Sequence, residues 1–274
     1  MAVSEPLYGK NPAELAALCA ETGLPRFAAG QLARWLYVKH IENPMLMTDI
    51  PAARRALLAE RFRQVLTPPE RVTESADGTK KYLFRTQQGA YIESAYIPDG
   101  DRATLCVSSQ AGCRMGCRFC ATGRQGLQQS LTAAEILNQA VSLPERDKLT
   151  NLVFMGMGEP MGNYNSVLSA VRQISAMPPE GFGISARNIT VSTVGVVPGI
   201  RKLAEEGIPV RLAVSLHAPS DELRDELVPM NKRFNTKQVL DAAHDYYLAS
   251  KRRVSIEYAL MRGINDQAEH AQLL

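Results

Sequence analysis

From residue 103 onward, β-like runs alternate with runs of helical period, and this alternation constrains the fold more than any other feature of the chain. Strand-like stretches fall at 103–109, 149–156, 188–193, 210–216 and 253–260. Helical patterns fill 132–143, 166–177, 200–207 and 235–250, and a further helix opens at Gln267. Parallel strands cannot be joined by tight turns, so each needs a crossover helix, and such crossovers are right-handed. The expectation is an α/β fold built on five parallel strands, either a partial barrel or an open doubly wound sheet.

The preceding segments read differently. Asn11 can cap a helix that opens on Pro12, with Glu14 at the third position and Gly23 as the stop. A second helix is expected over about 28–40, carrying Leu32, Trp35 and Leu36, and a third begins near Pro51 and carries Leu57, Leu58 and Phe62. Residues 1–65 thus form a small helical domain, and Cys19 is a buried apolar residue within it. Residues 66–102 hold the β-like runs 80–86 and 90–98, and read as a hairpin or short meander linking the helical domain to a core at 103–274.

Charge does little to define partners. The 31 basic and 28 acidic side chains leave a net charge of +3, which neither announces nor excludes nucleic-acid binding. No apolar run is long enough to span a bilayer, and the N-terminus lacks the pattern of a secretory signal, so a cytoplasmic location with no membrane partner is expected.

Four of the five cysteines, Cys106, Cys113, Cys117 and Cys120, lie within fifteen residues. An odd count without a secretory signal argues against a disulfide framework, and the clustering argues for metal or thiol chemistry. Cys113, Cys117 and Cys120 are spaced C-x3-C-x2-C directly after a strand. Three thiolates on one loop can ligate three irons of a cubane cluster and leave the fourth iron open. Zinc is the alternative, but it favours four ligands, and Cys106 lies back inside its strand.

This spacing, with Phe119 before the last cysteine, is similar to the radical S-adenosylmethionine (SAM) signature. The runs 102–113, 155–160, 192–198, 215–219 and 228–231, with Glu257-Tyr258 and 263–266, resemble the RlmN/Cfr family of RNA adenine methyltransferases over essentially the whole chain. The resemblance implies a partial radical SAM barrel with its chemistry at the C-terminal strand ends, a 4Fe–4S cluster on the three cysteines and two SAM molecules per turnover. It implies that SAM is bound by Gly158, Glu159, Ser192, Ser215, Leu216 and His217. It makes Cys106 a resolving thiol that forms a transient disulfide, and Glu93 a proton acceptor. It makes residues 1–65 an RNA-binding accessory domain.

The implied reaction methylates C2 of an adenine in 23S rRNA and in tRNA, through a methyl-cysteine intermediate and a 5′-deoxyadenosyl radical. An electron donor such as flavodoxin or ferredoxin is implied. Methylation at C8, as in the Cfr branch, and a non-catalytic RNA-binding protein with a structural cluster are the alternatives. In the second of these, Arg114, Arg118 and Arg124 would supply basic surface. The family's methyl-carrying cysteine, its last barrel strand and a further SAM-contacting Asn have no counterpart in the chain, and no cysteine follows Cys120. The expectation is a fragment of an active enzyme, inactive alone.

Overall fold

The computed structural model describes residues 5–274, so the first four residues of the expected helical domain lie outside the described residues. Ten strands and ten α-helices follow in chain order among the described residues. The helical domain holds α1 (Pro12–Glu21), α2 (Ala28–Ala33) and α3 (Ala52–Arg61). As expected, α1 opens on a reciprocal cap. The Glu14 amide donates to Asn11 Oδ1 at 3.0 Å and the Asn11 amide donates to Glu14 Oε2 at 2.7 Å. Helix α2 continues as a turn of π-helix over Arg34–Val38, and this stretch buries Trp35, Leu36 and Tyr37.

Next come β1 (Arg71–Glu74), β2 (Lys80–Arg85), β3 (Tyr91–Asp99), β4 (Arg102–Cys106) and β5 (Gln110–Gly112). The remaining strands are β6 (Leu127–Ser130), β7 (Asn151–Phe154), β8 (Ile189–Thr193), β9 (Arg211–Ser215) and β10 (Val254–Glu257). The remaining helices are α4 (Ala121–Arg124), α5 (Ala133–Val141), α6 (Tyr164–Ser175), α7 (Val197–Glu205), α8 (Asp221–Leu227), α9 (Thr236–Ser250) and α10 (Ala268–Leu273).

One eight-stranded sheet runs in the order β1-β2-β3-β4-β7-β8-β9-β10. The five strands β4, β7, β8, β9 and β10 are mutually parallel, as the alternation predicts. The segment read as a linker is an antiparallel wing of that same sheet, because β3 pairs with β4. The short pair β5-β6 has no counterpart in the sequence reading. Alternation within the strands sorts their side chains. Leu105, Leu152, Phe154, Ile189, Val191 and Leu212 are buried in a core shared with Leu137, Ile174, Ile200, Val239 and Tyr246 of the crossover helices. The helical domain adds Leu15, Leu32 and Leu36 to that core, so both regions share one apolar interior. The opposite face carries Thr104 and Cys106 of β4 beside Asn151 and Val153 of β7, since paired residues point the same way.

Candidate functional site

The site is assembled where the parallel strands end. The chain leaves β5 through Gly112, whose φ is +71° and where an added Cβ would collide with the Gly126 carbonyl, so glycine is required. The cysteine loop then closes on itself, with the Cys120 amide donating to the Cys117 carbonyl at 3.1 Å. Its outer edge is pinned to α8 by the Arg118 amide, which donates to the Leu227 carbonyl at 3.0 Å.

Cys113, Cys117 and Cys120 line a pocket of about 270 Å³ together with Gly158, Glu159, Ser192, Ser215, His217 and Glu257. Five of the six residues expected to bind SAM therefore line the same cavity as the three cysteines. Leu216 is buried behind it, and its amide donates to the Glu257 carbonyl at 3.0 Å. Cys106 and Glu93 stand outside this pocket. Both lie on one face of the sheet, because Ala95, two residues after Glu93, is the register partner of Cys106. The Glu93 carboxylate pairs with Lys81 at 3.0 Å and is half exposed.

Glu159 is buried rather than solvated. Its Oε1 accepts from the Met161 amide and its Oε2 from the Val194 amide, both at 2.9 Å, so it ties the turn after β7 to the turn after β8. Burial raises its carboxyl pKa, against the pull of these bonds. The Glu159 amide in turn donates to Gln110 Oε1 at 2.9 Å. Ser192 and Ser215 close β8 and β9 with their hydroxyl oxygens 3.4 Å apart. His217 takes the left-handed conformation, at φ +61°. Its Nδ1 accepts from the Ala259 amide at 3.0 Å, which leaves Nε2 to carry the proton. Burial and, after it, the Arg224 charge push its pKa down to about 4, so the ring is neutral at physiological pH. The Phe119 ring meets it edge-on at 4.7 Å.

Two residues that hold this rim escaped the sequence reading. Arg224 is completely buried and forms no ion pair among the described residues. It donates from Nε to the Leu216 carbonyl (3.1 Å), from Nη1 to Asn231 Oδ1 (2.8 Å) and from Nη2 to the Val194 carbonyl (2.6 Å). Asn265 donates to the carbonyls of His217 and Ala259 at 2.8 Å each and fixes the left-handed turn. The sequence signal for Asn265 was its run Gly263–Asp266, which carried no role. For Arg224 the signal was at best an arginine among the acids of α8.

The donor set suits a multi-iron cluster. Among the described residues, no three His, Cys, Asp or Glu side chains converge as the shell of one metal ion. A cubane asks for something else, since each thiolate meets a different iron. Burial, and then the neighbouring Cys113 and Cys120, push the Cys117 thiol up to about 12. Burial also pushes up Cys113. Three thiolates beside Glu159 are therefore favourable only with a strong local positive charge, which bound iron would provide. All five cysteines are free thiols.

Comparisons with known proteins agree with this geometry. The family model "Radical SAM superfamily" matches residues 107–274, and "Ribosomal RNA large subunit methyltransferase N-terminal domain" matches 6–63. A solved structure of a radical SAM methyltransferase from Sphaerobacter thermophilus superposes with a TM-score of 0.91 at 43% identity, covering 98% of this chain and 80% of that one. These matches define the class: a cluster-bearing radical SAM enzyme. A protein of Bifidobacterium adolescentis named probable dual-specificity RNA methyltransferase RlmN is 67% identical, over 93% of this chain and 69% of that protein. One of the same name in Corynebacterium efficiens is 51% identical over 99% of this chain and 77% of that protein. The chain belongs to the RlmN family of radical SAM methyltransferases. Members of this family use a 4Fe–4S cluster and SAM, two molecules of it per turnover.

Proposed function

We propose that the chain carries the cluster and cofactor site of an enzyme that methylates C2 of an adenine in 23S rRNA and in tRNA, with residues 1–65 as an accessory RNA-binding domain and the cytoplasm as its location. One observation carries the reading: three thiols at cluster spacing share a strand-end cavity with Gly158, Glu159, Ser192, Ser215 and His217. Cys113, Cys117 and Cys120 would hold the cluster. When bound, the cluster supplies the electron that cleaves SAM to a 5′-deoxyadenosyl radical. Glu159 offers its unused lone pairs to the SAM amine, and the Ser192 and Ser215 hydroxyls and His217 line the rest of the cofactor, with Leu216 backing them. Keeping His217 neutral spares the site a cation that would repel the sulfonium.

Glu93 takes the proton from the target carbon and Cys106 is the resolving thiol. The reading is supported by their common face of the sheet. Burial pushes the Cys106 thiol up, which keeps it protonated and unreactive until a partner approaches. No helix among the described residues is long and apolar enough to cross a membrane.

Anaerobically loaded protein with dithionite should release 5′-deoxyadenosine from SAM, and Cys117→Ala should abolish both this and the brown cluster absorption. Mass spectrometry of RNA from cells with and without the gene should show loss of 2-methyladenosine. Loss of 8-methyladenosine would move the assignment to the other carbon. Cluster-free cleavage, or unaltered RNA, would overturn it.

A further inference from the structure

The cysteine loop has two sides. Its inner side faces the cavity with Ser192, Ser215 and His217, but on its other side lies a separate hollow of about 340 Å³. Arg114, Met115, Pro229, Met230, Lys232 and Arg233 line that hollow, and Met115 lines both cavities. The chain approaches closely here, since the Arg118 amide is bonded to Leu227 and a side chain on Gly116 would touch Pro229 at 4.0 Å. The hollow therefore adjoins the cysteine loop through Arg114 and Met115, while the three thiols themselves line only the cofactor pocket.

Its chemistry is a basic rim over an apolar floor. Arg114, Lys232 and Arg233 are exposed, and none forms an ion pair among the described residues. Two of the four acids of α8 are engaged elsewhere, while Glu222 and Glu226 are exposed and form no ion pair among the described residues. Asp221 accepts from the Thr236 amide at 2.8 Å and from Asn231, and Asp225 accepts from Asn231 at 2.7 Å. Three cations without ion-pair partners, one of them Arg233 over the Phe234 ring at 5.3 Å, stand around methionine and proline and form a small positive patch of the kind that recognises an acidic partner through a transient contact. RNA is the other polyanion to weigh. Aromatic stacking platforms are a recurrent means of holding single-stranded bases, and this floor offers none. Glu93 and Cys106 belong to a different surface, the face of the sheet, not to this hollow.

We infer that the hollow of Arg114, Lys232 and Arg233 is the docking site of an acidic one-electron carrier protein that reduces the cluster. The inference rests on the proposed function above, in which each SAM cleavage needs one electron. A single electron leaves the reduced carrier, which is left oxidised by one electron, and enters the cluster by way of the loop. No bond and no proton changes hands.

The test uses cluster-loaded protein, an acidic flavodoxin as probe, and the pair Lys232→Glu with Arg233→Glu. The Kd for flavodoxin, read by fluorescence anisotropy, and the KM for reduced flavodoxin should each rise roughly tenfold or more. For the unsubstituted protein both should weaken steeply with salt. SAM cleavage driven by dithionite, and affinity for an rRNA hairpin, should stay within about twofold, because neither uses this face. The milder pair, Lys232→Gln with Arg233→Gln, should give a smaller change of the same pattern, and serves as the test if charge reversal perturbs folding. Unchanged flavodoxin binding and KM would overturn the inference, as would a loss of RNA affinity alone. If dithionite fails to drive cleavage in the unsubstituted protein, the catalytic reading itself fails, a separate outcome from loss of docking.

Discussion

Replacing Arg224 by methionine tests whether a buried guanidinium holds the cofactor rim together. Methionine keeps most of the aliphatic stem and removes every donor. The buried Leu216 carbonyl and Asn231 Oδ1, and the half-buried Val194 carbonyl, then lose their donor. Each orphaned acceptor costs about 1–3 kcal/mol. Against this stands the relief of a desolvated cation, since burial already pulls the Arg224 pKa down. Three orphaned acceptors, less that relief, leave a net loss of about 3–5 kcal/mol. For a domain of this size that is a fall in Tm of roughly 6–20 °C. SAM affinity should weaken at least about tenfold, because a rim loosened by only about 1.4 kcal/mol already costs that factor. Differential scanning calorimetry and SAM titration of the loaded protein read the two effects. A fall in Tm below about 2 °C with unchanged SAM affinity would refute the claim that these bonds organise the rim.

Gly158→Ala should lower the urea midpoint by the equivalent of about 2–4 kcal/mol and weaken SAM, since φ is +100° and the new Cβ would sit 2.6 Å from Gln110 Cβ; an unchanged midpoint would contradict this close approach. The neutral His217 should make stability pH-dependent: from the ordinary value of 6.5 down to about 4 the unfolded chain takes a proton that the native site refuses, so stability falls as pH drops through that window. His217→Gln should flatten this part of the stability–pH profile, and an identical profile would show that the ring does not titrate as its surroundings require.

The parallel sheet was legible because crossover helices leave a long-range imprint, an alternation that survives errors at any one boundary. The cap on α1 was legible for the opposite reason: Asn11, Pro12 and Glu14 act within a single turn. The three cysteines and the strand-end residues announced themselves by spacing and by motif. The sequence could not show that Glu159 is a brace between two turns, because its partners, Met161 and Val194, donate backbone amides, and an amide has no residue code. Arg224 was hidden for the same reason, with two of its three short bonds going to carbonyls. The antiparallel wing was read as a linker because pairing across a sheet leaves no mark in either strand. The five-pair ladder from Ala95–Cys106 to Asp99–Arg102 shows that β3 continues the core.

That register acts as a ruler. Between β3 and β4 only Gly100 and Asp101 intervene, and the ladder from Asp99–Arg102 to Ala95–Cys106 fixes how far Glu93 stands beyond the thiol of Cys106. Because a strand turns successive side chains to opposite faces, a slip of one residue at this hairpin would carry Glu93 through the sheet to the helix side. A slip of two would return it to the original face about 7 Å away from its native height. The shortest connection in the sheet thus sets the spacing between an acid and a thiol, and a single inserted codon there would uncouple them while leaving every residue of the pair in place.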